Sequence, residues 1–425
     1  MQNNILFIYK INCMIKNVIN MKQLKNLKKN LIDVSWVFFL KINQNLLSFI
    51  FLITLTHKVS QEFVGEFYIV LAGVGMASFF TFLGIPGTII QSIARGYHGT
   101  FRKLIPFRLI GGLAGSIAIS IFALTFPEES IIKNTLLIAA LTFPLSHGLS
   151  IWEDYYSGLG NFKFISISKT IYFIVTYSVM IIMITMHEIS MIFLIAVMYS
   201  FLAIINTIIS LRILTNISPK LKAEPKSKSY FIKTSLYSIF NLLGNHIDKF
   251  LILYFLSAES VAIYIIAERL SEMIKRYTQS MSATLIPKLA NHKRLTKNIN
   301  FKINIFSIFF TIGILIVIFL IIPWFVPLAF TNAYADSVFY SQLLCGTIII
   351  GQFATTKITF ITSNFYHSDL KTLTMVSNFI RIISSLILIP SFGILGAIAS
   401  TALYRLSTSL VMSILIKKYN IKKNR

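Results

Sequence analysis

The sequence predicts an all-α integral membrane protein with twelve transmembrane helices in two six-helix lobes, both termini cytoplasmic. Three observations predict it. The 425 residues are 55% hydrophobic and 13% charged, with a mean hydropathy of +0.74, whereas soluble domains run near ~25% charged. Twelve segments reach the ~20 mostly apolar residues that a span needs. The formal charge of +24 is divided between alternate loops as the positive-inside rule requires.

Residues 1–30 form a basic cytoplasmic segment carrying Lys10, Lys16, Lys22, Lys25, Lys28 and Lys29. Its apolar patch Ile5–Tyr9 is too short for a secretory h-region, and no small-residue cleavage site follows. Met21 makes an equally sensible start, so residues 1–20 are expected to be a disordered or superfluous extension. The N-lobe, 31–214, holds spans near 34–56, 67–90, 106–126, 132–151, 165–186 and 189–211. The segment 215–230 (TNISPKLKAEPKSKSY) has two prolines, four lysines and no apolar run, and reads as a cytoplasmic linker. The C-lobe, 231–417, holds spans near 231–256, 260–287, 303–326, 337–360, 372–390 and 394–416. A basic tail, 418–425, closes the chain.

With the N-terminus inside, the basic groups Arg95, Arg102, Lys103, Arg108, Lys163, Lys169, Arg212 and the linker lysines fall on the cytoplasmic side. Outside fall Lys58 and Lys133 among Glu62, Glu66, Glu128, Glu129, Glu188, Glu259 and Asp336. The positive charge is thus topology and attraction to anionic lipid rather than a nucleic-acid surface.

The halves carry a weak parallel repeat. Ser60-Gln61-Glu62-Phe63-Val64-Gly65-Glu66-Phe67, at the turn between spans 1 and 2, aligns with Ser257-Ala258-Glu259-Ser260-Val261-Ala262-Ile263-Tyr264 between spans 7 and 8. Further on, Thr88-Ile89-Ile90 resembles Thr284-Leu285-Ile286. Two such bundles about a midplane cavity describe an alternating-access transporter.

Spans 1, 7 and 8 are the polar ones. Span 1 places Lys41, Asn45 and Ser48 on one face. Span 7 carries Thr234, Ser238, Asn241, Asn245 and Asp248 at spacings of 4, 3, 4 and 3, which is one side of a helix. Span 8 carries Glu268, Glu272, Lys275 or Arg276, and Gln279 at the same kind of spacing. Ionisable groups at membrane depth cost roughly 2.5–3.5 kcal/mol each on insertion scales, so they are expected to face a wet cavity or one another. Asp248 and Arg269 sit at similar depth, and an ion pair between them that merely locks the hairpin is the alternative to a cavity. Lys249 follows Asp248 by ~100° around the helix, so at most one of the two faces a cavity squarely.

Catalytic signals are missing. The two cysteines, Cys13 and Cys345, give neither a disulfide framework nor a metal spacing. There is no G-x-x-x-x-G-K-[ST] and no H-E-x-x-H. His147 with Glu153 and Asp154 reads as a relay or, alternatively, as a satisfied interfacial cluster. No external loop is large enough for a catalytic domain, so the chain is not expected to be an enzyme and no cofactor is expected.

Several short motifs resemble polysaccharide flippases of the Wzx type, in the superfamily that includes the MATE drug exporters. They are Asn26–Trp36 leading into span 1, Val64-Gly65-Glu66-Phe67-Tyr68 entering span 2, and Gly84-Ile85-Pro86 through Ile93-Ala94-Arg95 leaving it. Asn245-His246-Ile247-Asp248-Lys249 in span 7, Val261 to Ala267 with Pro287-Lys288-Leu289 around span 8, and Phe392-Gly393-Ile394-Leu395-Gly396-Ala397 before span 12 complete the set. Ala262 stands where the family usually has glycine. The resemblance covers about residues 25–417. It implies a two-lobed bundle in the bacterial inner membrane that moves an undecaprenyl-pyrophosphate-linked oligosaccharide, an O-antigen or capsule repeat unit, from the cytoplasmic to the periplasmic leaflet.

Such a substrate sorts the candidate residues. Pyrophosphate calls for Arg or Lys, and the candidates are Lys41, Arg95, Lys249, Arg269, Arg381 and Arg405. Sugars call for amide, hydroxyl and aromatic groups, and the candidates are Asn45, Tyr237, Asn241, Asn245 and Gln279. Coupling to H+ or Na+ influx would fall to Asp248, Glu268 or Glu272. Membrane lipids, a polysaccharide polymerase and chain-length proteins are the other candidate partners. A MATE-like exporter of small cations is the first alternative, and the surplus of mid-span Arg and Lys argues against it. A membrane-embedded polysaccharide polymerase or acyltransferase is the second.

Overall fold

The computed structural model describes residues 32–186, 190–218, 220–225, 227–283, 297–363 and 367–422. The first basic segment, the motif Pro287-Lys288-Leu289 and the repeat Thr284-Leu285-Ile286 lie outside the described residues. Every regular element among those described is helical.

Helix α1 runs Ile32–Lys58. Helix α2, Gln61–Ala77, starts where Ser60 Oγ accepts from the Phe63 N–H at 3.2 Å, with Glu62 in the first turn; both features neutralise free N–H groups at a helix start. The span expected to be continuous over 67–90 is broken instead. Ser78–Thr81 tightens to a 3-10 turn, Phe82 takes the left-handed conformation at φ 56°, and α3 restarts at Ile85–Ala94 with Pro86 in its first turn. Pro86 has no N–H for the Phe82 carbonyl and is suited to a helix start, so the chain stops and begins again. Arg108 repairs the break: its Nη1 donates to the Thr81 carbonyl at 2.9 Å.

Helix α4, Gly99–Ala123, and α5, Ile131–Ser146, form an antiparallel pair. The fourth span, expected to reach residue 151, ends at Ser146. The irregular stretch after it is held by side chains from other helices. Arg108 Nη2 donates to the His147 carbonyl and to Ser150 Oγ, and Ser210 Oγ donates to the Leu149 carbonyl. Trp152 Nε1 donates to Asn206 Oδ1 at 2.7 Å, and Asn206 Nδ2 donates to the Ser146 carbonyl at 2.6 Å. A short helix α6, Trp152–Gly158, follows, then α7, Phe162–Thr185, and α8, Met191–Asn216. Glu153 pairs with Lys169 at 2.7 Å, and His147 Nδ1 lies 3.0 Å from Ser146 Oγ.

Between α8 and α9, Ser227–Phe255, the connecting chain is pinned by Glu224. Its carboxylate accepts from Ser92 Oγ and from Arg95 at 2.7 Å, and its N–H donates to Thr100 Oγ1. Helix α10 is Ala258–Ala283; α11, Lys297–Phe330; α12, Asp336–Ser363; α13, His367–Phe392; and α14, Ile394–Lys422. Among the described residues nine helices are long and apolar enough to cross a membrane: α1, α2 with its 3-10 end, α4, α7, α8 and α11 to α14. Helix α5 is apolar but shorter. Helices α9 and α10 are as long as the nine and fall outside them; they are the ones whose charged residues the sequence singled out.

Glycines on α2 and just after it set the seam between the first and second halves of the chain. A Cβ on Gly65 would collide with the Ala258 carbonyl, one on Gly75 would lie 2.8 Å from the His246 ring, and one on Gly84 would strike the Phe231 carbonyl. Backbones therefore touch where side chains would otherwise hold the helices apart. The main apolar core runs across this seam, joining Phe51, Phe67 and Val74 to Tyr264, Ile266 and Phe330.

Candidate substrate cavity

A cavity of about 380 Å³ opens between α2, α9, α10, α12, α13 and α14. Its charged lining is Lys249, Arg269, Lys275, Arg381 and Arg405 against Glu268 and Glu272, five cations to two carboxylates. The lining is periodic, as helix geometry requires. Helix α9 contributes Asn245 and Lys249, four apart; α10 contributes Tyr264, Glu268, Ser271 or Glu272, and Lys275; α14 contributes Thr401 with Tyr404 and Arg405.

Asp248 lies behind the wall, 1% exposed. Its Oδ2 accepts from Tyr264 Oη at 2.6 Å and from Arg381 Nη2 at 3.0 Å, and its Oδ1 accepts the Lys249 N–H at 3.0 Å. Lys249 Nζ lies 3.6 Å from Asp248 Oδ1 and 3.0 Å from Glu268 Oε2, and donates to the Asn245 carbonyl at 3.3 Å. Arg381 Nη1 reaches Asn245 Oδ1 at 3.3 Å, and the guanidinium stacks over the Tyr404 ring at 5.6 Å. One carboxylate thus fastens α9, α10 and α13 together, and its oxygens are filled from three sides. A buried charge is tolerable only under such saturation.

The pairing anticipated between Asp248 and Arg269 is not the one formed. Asp248 takes Arg381 from α13, and Arg269 lies over the Tyr68 ring at 5.5 Å. The reason is angular: Asp248 points from α9 toward α13, while Arg269 leaves α10 on the side facing α2. Arg405 Nη1 donates to Thr347 Oγ1 at 2.7 Å and to the Leu344 carbonyl. Lys275 pairs with Glu272 at 2.8 Å. Four buried polar atoms of lining residues have no partner: His246 Nδ1, Ser271 Oγ, Arg381 Nε and Thr401 Oγ1.

Of the candidate cations, Lys249, Arg269, Arg381 and Arg405 are brought together here. Arg95 is not: it is exposed and paired with Glu224 beyond the end of α3. Lys41 is exposed on α1 and is not among the cavity's lining residues. Of the candidate sugar contacts, Asn245 lines the cavity. Asn45 lines a small adjoining pocket with Ser48, Arg269 and Glu272. Tyr237 and Asn241 are exposed and outside it, and Gln279 lies outside the residues whose side chains are described. Thr234 and Ser238 turn back on their own helix, donating to the Tyr230 and Thr234 carbonyls. Of the coupling candidates, Glu268 and Glu272 reach the cavity and Asp248 does not. Among the described residues no group of three or more His, Cys, Asp or Glu is placed to hold a metal.

Sequence reasoning missed Tyr68, Ser271, Thr401 and Tyr404 as lining residues. Tyr404 carried a signal, since it precedes Arg405 and lies three residues after Thr401. Tyr68 carried none beyond its motif.

Solved structures share this architecture. A lipid II flippase, MurJ, in an inward closed conformation superposes with a TM-score of 0.68 at 15% identity, over 91% of this chain and 87% of that one. An inward-facing multidrug resistance MATE transporter of the MOP superfamily gives 0.60 at 13% identity, over 89% and 95%. A MOP-superfamily transporter from Pyrococcus furiosus, described as having a binding pocket of reversed polarity, gives 0.58 at 12% identity, over 90% and 94%. No curated protein sequence matches the chain. The fold is the one these structures share, and its nine long apolar helices among the described residues make it a multi-pass membrane protein. The chain belongs to the polysaccharide biosynthesis protein family, whose model matches residues 31–293.

Proposed function

We propose that this protein is a flippase for an undecaprenyl-pyrophosphate-linked oligosaccharide, moving it from the cytoplasmic to the periplasmic leaflet of a bacterial inner membrane. The observation that carries the reading is the charge of the cavity, five cations to two carboxylates among its lining residues. A pyrophosphate brings about two negative charges, and Arg binds such groups bidentately. Asn245 and Tyr404 in the lining offer further hydrogen-bonding groups for phosphate or sugar oxygens. In this reading the chain forms twelve spans as lobes 31–214 and 231–417 with both termini cytoplasmic, and the two lobes rock about the cavity. Helices α9 and α10 then cross the bilayer with their charges turned inward, α5 crosses as a short span, and α2 crosses together with α3.

With a cytoplasm-negative potential, outward movement of the anion is favoured by ~2.3 kcal/mol per charge per 100 mV. Proton or sodium coupling would fall to Glu268 or Glu272, which reach the cavity. Export of cationic drugs fits less well, because that cavity would repel them. Complementation of a flippase-null strain, read as surface glycan, tests the proposal. Restored glycan with the native chain and its loss with Arg269→Gln support it. A native chain that is inserted in the membrane at normal level yet restores nothing from any of several repeat-unit backgrounds refutes it.

A further inference from the structure

The cationic cavity has an apolar neighbour on the other side of the α2–α9 seam. A crevice of about 430 Å³ runs between α2, its 3-10 extension, α4 and α9, with Met76, Phe80, Ala118, Leu242, Leu243 and Phe250 in its walls. On α9, Asn245 and Lys249 bear on the cavity, whereas Leu242, Leu243 and Phe250 bear on the crevice. At ~100° per residue the two groups are centred about 90° apart on one helix. Along α9 the crevice reaches from Ile239 to Phe250, about 16 Å at 1.5 Å per residue.

The wall between the two spaces is thin. His246 lines the cavity, and its ring lies against Gly75, while Gly73 and Met76, two residues before it and one after, line the crevice. At this height a single imidazole on a glycine separates them. The 3-10 turn and the left-handed Phe82 sit just along α2, so the helix forming one side of the wall is already interrupted. The pocket toward α1, where Phe49, Leu52 and Met273 stand beside Asn45, Ser48, Arg269 and Glu272, is only about 20 Å³ and has no room for a hydrocarbon chain.

A lipid-linked anion has two ends with opposite needs. Its chain gains nothing among five cations and two carboxylates, and must leave the cavity sideways. We propose that the crevice holds the isoprenoid chain of the lipid whose pyrophosphate occupies the cavity, the seam parting at Gly75 and His246 so that the two ends lie on either side of it. The proposal rests on the reading of the cavity as a lipid-pyrophosphate site. Its specific content is which helices the chain passes between.

The test uses the purified full chain and three probes: a long-chain polyprenyl pyrophosphate, geranyl pyrophosphate and inorganic pyrophosphate. The native protein is expected to bind the long chain about tenfold more tightly than the geranyl compound, equivalent to about two methylenes held in an apolar site. Ala118→Trp and Leu243→Trp each fill the crevice and are expected to erase that preference. Affinity for geranyl pyrophosphate and for inorganic pyrophosphate stays unchanged, which also reports that the variants are folded. Equal binding of long and short chains by the native protein overturns the chain site and leaves the cavity reading intact. So does a preference that survives in both variants, since the chain is then held elsewhere. If none of the three pyrophosphates binds, the cavity reading fails and this one falls with it.

Discussion

Neutralising Asp248 is the sharpest probe of how the second half of the chain is held. Its carboxylate is 1% exposed, and the side chains that face it, Lys249 and Arg381, are 9% and 10% exposed, so solvent does little to screen the loss. In Asp248→Asn, Lys249 keeps Glu268, but Arg381 keeps no carboxylate, only the 3.3 Å contact to Asn245 and the Tyr404 ring. Removing one member of a buried pair costs about 3–5 kcal/mol, because the survivor is left uncompensated, and about 3 is expected here. Arg381→Gln should cost less, about 2 kcal/mol, since Tyr264 and the Lys249 N–H still serve the carboxylate. The double variant leaves no orphaned charge and should cost about 3 kcal/mol, so the coupling is near 2. Thermal unfolding of the detergent-purified variants, combined as a double-mutant cycle, measures it. Single losses that add to within ~0.5 kcal/mol would refute the account of Asp248 as the fastening point of α9 and α13.

Other outcomes follow from the same geometry. Arg269→Gln removes a charge-assisted phosphate contact of about 1.5–3 kcal/mol, so the affinity for polyprenyl pyrophosphate should fall roughly 10–100-fold; Arg95→Gln, outside the cavity, should leave it unchanged in the same binding assay. Gly65→Val forces α2 off the Ala258 carbonyl and should lower stability by about 1–3 kcal/mol. Gly313→Ala, where an added Cβ meets nothing, should be neutral or slightly stabilising, by up to ~1 kcal/mol; equal melting temperatures for the two glycine variants would sink the close-packed seam. Burial and the neighbouring Glu153 push the Asp154 carboxyl, in the short helix α6, up to about 7 from 3.8. A raised folded-state value means the protonated form is favoured on folding, so this contribution to stability is present below about pH 4 and lost as pH rises through about 7. Asp154→Asn should therefore flatten the melting temperature between those values and raise it at pH 8.

What the sequence made legible follows from local periodicity. The stripe Asn245, Asp248 on α9 and the run Glu268, Glu272, Lys275 on α10 marked the helices around the cavity, because 3.6-residue repetition is a property of one segment at a time. The partner of Asp248 was not legible, since it depends on the mutual rotation of α9, α10 and α13. Arg381 stood out as a costly mid-span charge, but nothing in its neighbours tied it to residue 248. Tyr68 was hidden for the same reason: an aromatic in an apolar run reads as core until a guanidinium is found over it. The break in α2 was written in Gly84-Ile85-Pro86 and was outweighed by the apolar run on both sides. Arg95 misled because positive-inside arithmetic and cavity chemistry both ask for arginine, and only the position of Glu224 decides between them. Asn241 and Tyr237 shared the polar face of α9 but lie outside the cavity, which α9 meets at Asn245, His246 and Lys249.

The hairpin of α9 and α10 carries a consequence for biogenesis. In the twelve-span reading, a translocon deciding on α9 alone would meet Asp248 and Lys249 with only each other as partners, at roughly 2.5–3.5 kcal/mol each near a helix centre. The answering groups, Tyr264 and Glu268, are synthesised only after the Leu256–Ser257 bend. In that reading release into lipid waits for the second limb, and a ribosome stalled between the two would leave the first one stranded at the channel.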